Sequence, residues 1–205
     1  GLALEGFIPY VNTIATFLSR RCFEQNVIDL GLHNTNVRLI SNAGGTVYAP
    51  LGPTHLAIED IAIMRTIPNM TIVSPADADE MRRLMMQTLD YEGPIYIRLG
   101  KGYDPIITSD KFPFEIGKGI LIKEGSDLLI VTTGIALGLA LEASDKLKKN
   151  NINTSVLHMH TIKPLDKEVL VNAVDKVPAV ITLEEHTILG GLGSACAEII
   201  LEEGF

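Results

Sequence analysis

Short β-rich apolar runs alternate with amphipathic stretches along most of the chain, a pattern that predicts an α/β fold with mainly parallel sheets. Residues 7–11 read as a strand and 15–30 as a helix. A second strand at 37–41 leads into a loop over 42–53 and a helix from His55 to about Arg65. A third strand at 70–74 precedes a helix running to about Leu89, with Asp77 as its cap. A fourth strand at 95–99 closes this series. Each strand passes into a loop at its C-terminal end, where ligands collect in such sheets.

From Lys101 to Gly117 the periodicity fails, and Gly102, Asp104-Pro105, Pro113 and Gly117 mark a linker. The organisation expected is a first α/β unit over 1–104, a linker over 105–117 and a smaller α/β unit over 118–205. In the second unit, strands are expected at 128–133, 154–158 and 178–183. Helices are expected at 136–149, after Lys163-Pro164-Leu165-Asp166, and at 194–202. No internal repeat of 20–50 residues interrupts this pattern.

Composition narrows the function classes. A chain of 205 residues that is 46% hydrophobic can bury a substantial core in one or two domains. Its net charge of −8, with no basic cluster, argues against a nucleic-acid partner. Cys22 and Cys196 lie far apart within predicted helices and read as buried thiols of a reducing compartment, so the expected location is cytoplasmic. No apolar run reaches the roughly 18 residues of a membrane span, and no basic start or cleavage site marks a signal peptide. The absence of an initiating Met leads us to expect a fragment or processed product.

The densest candidate chemistry is Gly52-Pro53-Thr54-His55, where loop turns into predicted helix. Capping by Thr54 would set His55 in the first helical turn, near the positive end of the dipole, where a neutral imidazole is favoured. Such a histidine can shuttle protons, or it can merely order a loop. Arg98 and Lys101 stand at the end of the fourth strand, either as anion ligands or as solvated charges. Asn42, Gly44, Gly45 and Tyr48 form the loop ahead of the histidine, where glycines permit close approach of a ligand. His158 and His160 share one strand face, but no neighbouring carboxylate or cysteine in sequence completes a metal set. No metal site is expected.

Several of these segments, in order, resemble one family. Residues 49–75, APLGPTHLAIEDIAIMRTIPNMTIVSP, resemble the pyrimidine-binding domain of the transketolase family of thiamine-diphosphate enzymes. Thr16-Phe17-Leu18, with Arg21 and Glu24-Gln25, is similar to the helix that stacks on the cofactor. Gly93-Pro94-Ile95-Tyr96-Ile97-Arg98-Leu99 resembles the strand closing that domain. Leu183-Glu184-Glu185-His186, with Gly190-Gly191-Leu192-Gly193, resembles the family's C-terminal domain. The resemblance covers nearly the whole chain.

It implies a pyrimidine-binding domain, N-terminally incomplete, followed by a transketolase C-terminal domain. The expected activity is transfer of a ketol unit between sugar phosphates through thiamine diphosphate. Phe17 would stack on the aminopyrimidine, with helix core as the alternative. His55 would serve as acid/base group beside the substrate. Arg98, Lys101 and Arg21 would hold the substrate phosphate, and Asn42, Tyr48 and His186 would contact substrate, His186 alternatively serving the domain interface.

The chain also departs from the family. The glutamate that activates the cofactor lies upstream of the matched region, and no Gly-Asp-Gly diphosphate and Mg²⁺ motif is present. Mg²⁺ ligands are therefore expected on an N-terminal half or subunit, in a homodimer or heterotetramer, and the isolated chain is not expected to be active. Leu51 stands where many transketolases carry an aspartate that reads a substrate hydroxyl, and leucine cannot accept that bond. Deoxyxylulose-phosphate synthase-like chemistry, the β-subunit of a 2-oxoacid dehydrogenase, and a non-catalytic scaffold subunit are the alternatives.

Overall fold

The computed structural model describes residues 1–205. Strands β1 (Tyr10–Ile14), β2 (Arg38–Asn42), β3 (Thr71–Val73) and β4 (Ile95–Arg98) run parallel in the order β1-β2-β4-β3. Strands β3 and β4 are buried along their whole length, which explains their near-continuous apolar character. Leu39, Ile61, Met64, Ile72 and Tyr96 form the centre of this first core. The first strand starts later than the apolar run at residue 7 predicts. Pro9 has no N–H to contribute to a ladder, and pairing with β2 begins at Tyr10.

The helix expected over 15–30 is broken. α1 (Ala15–Ser19) ends at a turn through Cys22, and α2 (Phe23–Gln25) continues into a wider π-type helix, Asn26–Leu32. Asn26 Nδ2 donates to the Leu18 carbonyl at 2.6 Å, and the Cys22 thiol points at the Phe17 and Leu18 carbonyls. Side-chain donors thus replace the backbone ladder at the turn. α3 (Asp60–Arg65) begins at Asp60 rather than His55, and Thr54 caps nothing. α4 (Ala78–Gln87) is capped as its sequence predicts: Asp77 accepts from the Glu80 N–H at 2.9 Å.

The second sheet comprises β5 (Ile120–Lys123), β6 (Leu128–Thr132), β7 (Thr154–His158) and β9 (Val180–Leu183) in the order β5-β7-β6-β9, with β5 antiparallel. It packs against α5 (Ala136–Lys148), α6 (Lys167–Val174), capped by Asp166, and α7 (Leu192–Glu202). Cys196 is buried in this core, and burial, with Glu184 nearby, pushes its thiol up to about 12, so it is a packing group. Sequence patterning missed both β5 and β8 (Thr161–Lys163). β8 leaves the second unit and pairs antiparallel with β3, so the first sheet is completed by a strand from the other domain. The two units therefore share structure, rather than merely a linker.

A buried polar cluster reinforces this seam. His158 Nε2 donates to Glu80 Oε2 at 3.0 Å, both side chains fully buried, and the same oxygen accepts from the Ala76 N–H at 2.7 Å. A carboxylate does face these histidines, brought from a distant helix; no trio of acidic, histidine or cysteine side chains is placed to hold a metal. Burial, then His158 beside it, lowers His160 from 6.5 to about 3. Arg83, Glu80 and Asp166 also act on it.

A histidine held neutral in the fold but free to protonate when unfolded makes the unfolded chain the better proton acceptor, so stability falls with pH between about 6.5 and 3. Thermal melting should accordingly show Tm declining from pH 7 to pH 4. His160→Phe retains a ring stacked on Phe114, 4.1 Å away, and removes the titration. The decline should become shallower in that variant; an unchanged slope would refute this account.

Candidate active site

α1 follows directly from the C-terminal end of β1, and the long connection after β2 folds back beside it. Residues Gly45 and Ala57 close this connection by an antiparallel bridge with hydrogen bonds of 2.7 and 3.2 Å, leaving 46–56 as a loop. Tyr48 and His55 lie on that loop. The His55 ring meets Phe17 of α1 edge-on with centroids 5.3 Å apart and Tyr48 at 6.5 Å. The Arg21 guanidinium covers one face of Phe17 at 3.9 Å. Four residues separated in sequence thus converge on one patch at the C-terminal ends of the strands.

His55 does not stand at a helix N-terminus, so the dipole has no hold on it. Its orientation comes from local bonds. Thr54 Oγ1 bonds His55 Nδ1 at 2.8 Å, while Thr16 Oγ1 donates to the Thr54 carbonyl at 2.8 Å. With Nδ1 engaged, Nε2 is the ring nitrogen left for a ligand. Arg20 adds a clamp that sequence reading missed. Its Nη2 donates to the Pro53 and Leu56 carbonyls at 2.8 and 2.7 Å, on either side of Thr54-His55, and its Nε pairs with Glu59 at 2.8 Å. Adjacent Arg20 and Arg21 look alike in sequence, and only the fold gives them different partners.

Arg98 stands at the C-terminal end of β4. The resemblance assigns it to a substrate phosphate, but its side chain faces the interior and the residue is 5% exposed. Nε pairs with Asp60 Oδ2 at 2.8 Å, and Nη2 donates to the Ala57 and Glu185 carbonyls at 3.2 and 2.9 Å. Tyr96 Oη donates to the same Asp60 oxygen at 2.8 Å and accepts from Ser41 at 2.6 Å. Burial, then Asp60, pushes the Tyr96 phenol well above its ordinary value, so it stays a donor. This guanidinium organises the base of the loop.

The remaining candidates separate. Lys101 is exposed and lines a cleft of about 300 Å³ with Asn42, Tyr103 and Ile135, away from the aromatic cluster's own contacts. Asn42 Nδ2 donates to Asn12 Oδ1 at 2.6 Å. His186 lies in the domain seam, its Nε2 accepting from the Ala62 N–H at 3.3 Å and its Nδ1 donating to the Thr187 carbonyl at 2.7 Å. Both its nitrogens are committed to backbone, which favours the interface alternative. Leu51 is exposed on the loop.

A cluster of rings with a guanidinium suits a flat heteroaromatic ring, which can take stacking and edge contacts there. The donor set fits the aminopyrimidine end of thiamine diphosphate.

The comparisons agree with a two-domain α/β chain. Residues 1–103 match the model of the transketolase pyrimidine-binding domain, and residues 117–205 that of the transketolase C-terminal domain. The chain belongs to the transketolase family. It is 38% identical over 202 residues to the 6-deoxy-6-sulfo-D-fructose transketolase subunit SqwH of Clostridium sp. (strain MSTE9), covering 98% of this chain and 63% of that protein. It is equally 38% identical over 202 residues to the 1-deoxy-D-xylulose-5-phosphate synthase of Rippkaea orientalis (strain PCC 8801 / RF-1), covering 97% of this chain and 31% of the relative. A solved structure described as a split gene transketolase in an inactive beta4 tetramer superimposes with a TM-score of 0.92 at 40% identity, over 100% of this chain and 66% of that one. The chain thus spans less than two thirds of the length of these relatives. No helix is long and apolar enough to cross a membrane.

Proposed function

We propose that this chain supplies the pyrimidine side of a split transketolase-like enzyme, which transfers a ketol unit between sugar phosphates once a partner chain or N-terminal half completes the site. The convergence of Phe17, Arg21, Tyr48 and His55 in one cluster beside the C-terminal end of β1 carries this reading. Thiamine diphosphate, when bound, supplies the carbanion chemistry that breaks and forms the carbon–carbon bond. Phe17 would stack on its aminopyrimidine. His55, oriented through Nδ1 by Thr54, takes and returns the substrate hydroxyl proton at Nε2. Tyr48, edge-on to His55, contacts the substrate, and Arg21 offers a cation to its phosphate. The diphosphate and Mg²⁺ fall to the partner.

The test is reconstitution. The chain alone should give no ketol transfer, and addition of the N-terminal partner with thiamine diphosphate and Mg²⁺ should restore it. A cofactor-free complex at saturating cofactor would sink the proposal. Exposed Leu51, unable to read a substrate hydroxyl, supports a second reading in which the donor is pyruvate, as in deoxyxylulose-phosphate synthases; turnover of pyruvate rather than a ketose phosphate would establish it.

Phe17→Ala bears on the cofactor independently of turnover. An aromatic pair contributes about 0.5–1.5 kcal/mol beyond area burial, so titration of the assembled complex should show roughly two- to tenfold weaker thiamine diphosphate binding. Unchanged affinity would return Phe17 to the helix core.

A further inference from the structure

We propose that Glu185 is a positioning residue, holding from the second domain the base of the loop that carries Tyr48 and His55. It reaches the Gly45–Ala57 closure from the β9–α7 connection. Its Oε1 accepts from Thr46 Oγ1 at 2.8 Å. Its Oε2 is buried without a partner and lies 2.6 Å from where a Cβ on Gly45 would sit. Gly45 has φ +77°, so a side chain there would be both strained and in collision with this carboxylate.

The backbone around Glu185 engages the other side of the closure. Arg98 Nη2 bridges the Glu185 and Ala57 carbonyls. The Thr187 N–H donates to the Ile58 carbonyl at 2.7 Å. Both strands of the loop base are therefore tied to residues 185–187. Neither Glu185 nor its partners lie among the rings of the candidate site, and its effect on chemistry passes through loop position. A loop of this length has many backbone conformers, and fixing its two ends restricts them.

The loop position is measurable without turnover. In the full-length natural protein, hydrogen exchange at the bonded amides of Ala49, Leu51, Gly52, His55 and Leu56 should be about ten- to hundredfold faster in Glu185→Ala, the loss expected for a hydrogen bond to a charged group. Thr46→Val removes the same bond from an exposed position and should reproduce the effect even where Glu185→Ala fails to fold. Glu185→Gln keeps an acceptor for Thr46 and should restore protection. Exchange in β6 and β7 should not change.

For turnover the inference rests on the functional reading above. In the assembled complex, Glu185→Ala should lower kcat by about tenfold or more with KM little altered. Unchanged loop exchange in both Glu185→Ala and Thr46→Val, or no rescue by Glu185→Gln, overturns the inference. A wild-type complex that transfers no ketol unit overturns the functional reading alone, because the exchange result stands without it.

Discussion

Replacing His55 with alanine in the assembled complex is expected to lower ketol transfer by about a hundred- to ten-thousandfold, the range of general acid–base catalysis. Folding should be nearly unaffected. The ring is half-buried on a loop, its side-chain bond is to neighbouring Thr54, and its other ring contacts are edge-on with Phe17 and Tyr48. Substitutions in such places shift stability by about 0.5 kcal/mol or less. Paired measurement of kcat/KM and Tm separates the two effects. A scaffold subunit would tolerate the change in both, so retained activity in His55→Ala would remove the acid/base role and favour a structural one.

The largest stability effect should come from the Asp60–Arg98 pair. Asp60 is 1% exposed and receives both the Arg98 guanidinium and the Tyr96 hydroxyl on one oxygen. Burial alone would lower the Arg98 pKa, but Asp60 outweighs it and raises it, so the guanidinium remains charged. Asp60→Ala leaves that charge without its counterion and Tyr96 without its acceptor. Removing one member of a buried pair typically costs about 3–5 kcal/mol, and urea unfolding should register a loss of this size. Asp60→Ala combined with Arg98→Met removes both charges and should recover much of it. Arg98→Met alone should also destabilise and loosen the loop base. If it instead raised only the KM for a sugar phosphate, with stability intact, Arg98 would be a substrate ligand after all.

Local signals were legible in the sequence, because they depend on few neighbours. Asp77 and Asp166 cap their helices because a carboxylate three residues ahead of an amide reaches it regardless of the rest of the fold. The apolar runs of the second sheet coincide closely with β6 and β7. The ordered family motifs brought Phe17 and His55 forward as candidates, although periodicity alone could not separate ring stacking from core packing.

Tertiary structure decided the direction in which polar side chains point. Strand alternation places Arg98 on one face of β4 but does not reveal that Asp60 waits beneath it. Glu80 and His158 are 78 positions apart, and Glu185 and Thr46 are 139 apart. Each pair forms only because β8 crosses to the first sheet and the two domains lock. His55 left the predicted helix because bonds from Thr16 and Arg20 hold its segment in a turn. The sequence alone therefore determined the elements, the family and the chemical inventory, through short-range periodicity and ordered motifs. Which charge is buried, which is offered to a ligand, and what steadies the His55 loop depended on contacts that exist only once distant segments meet.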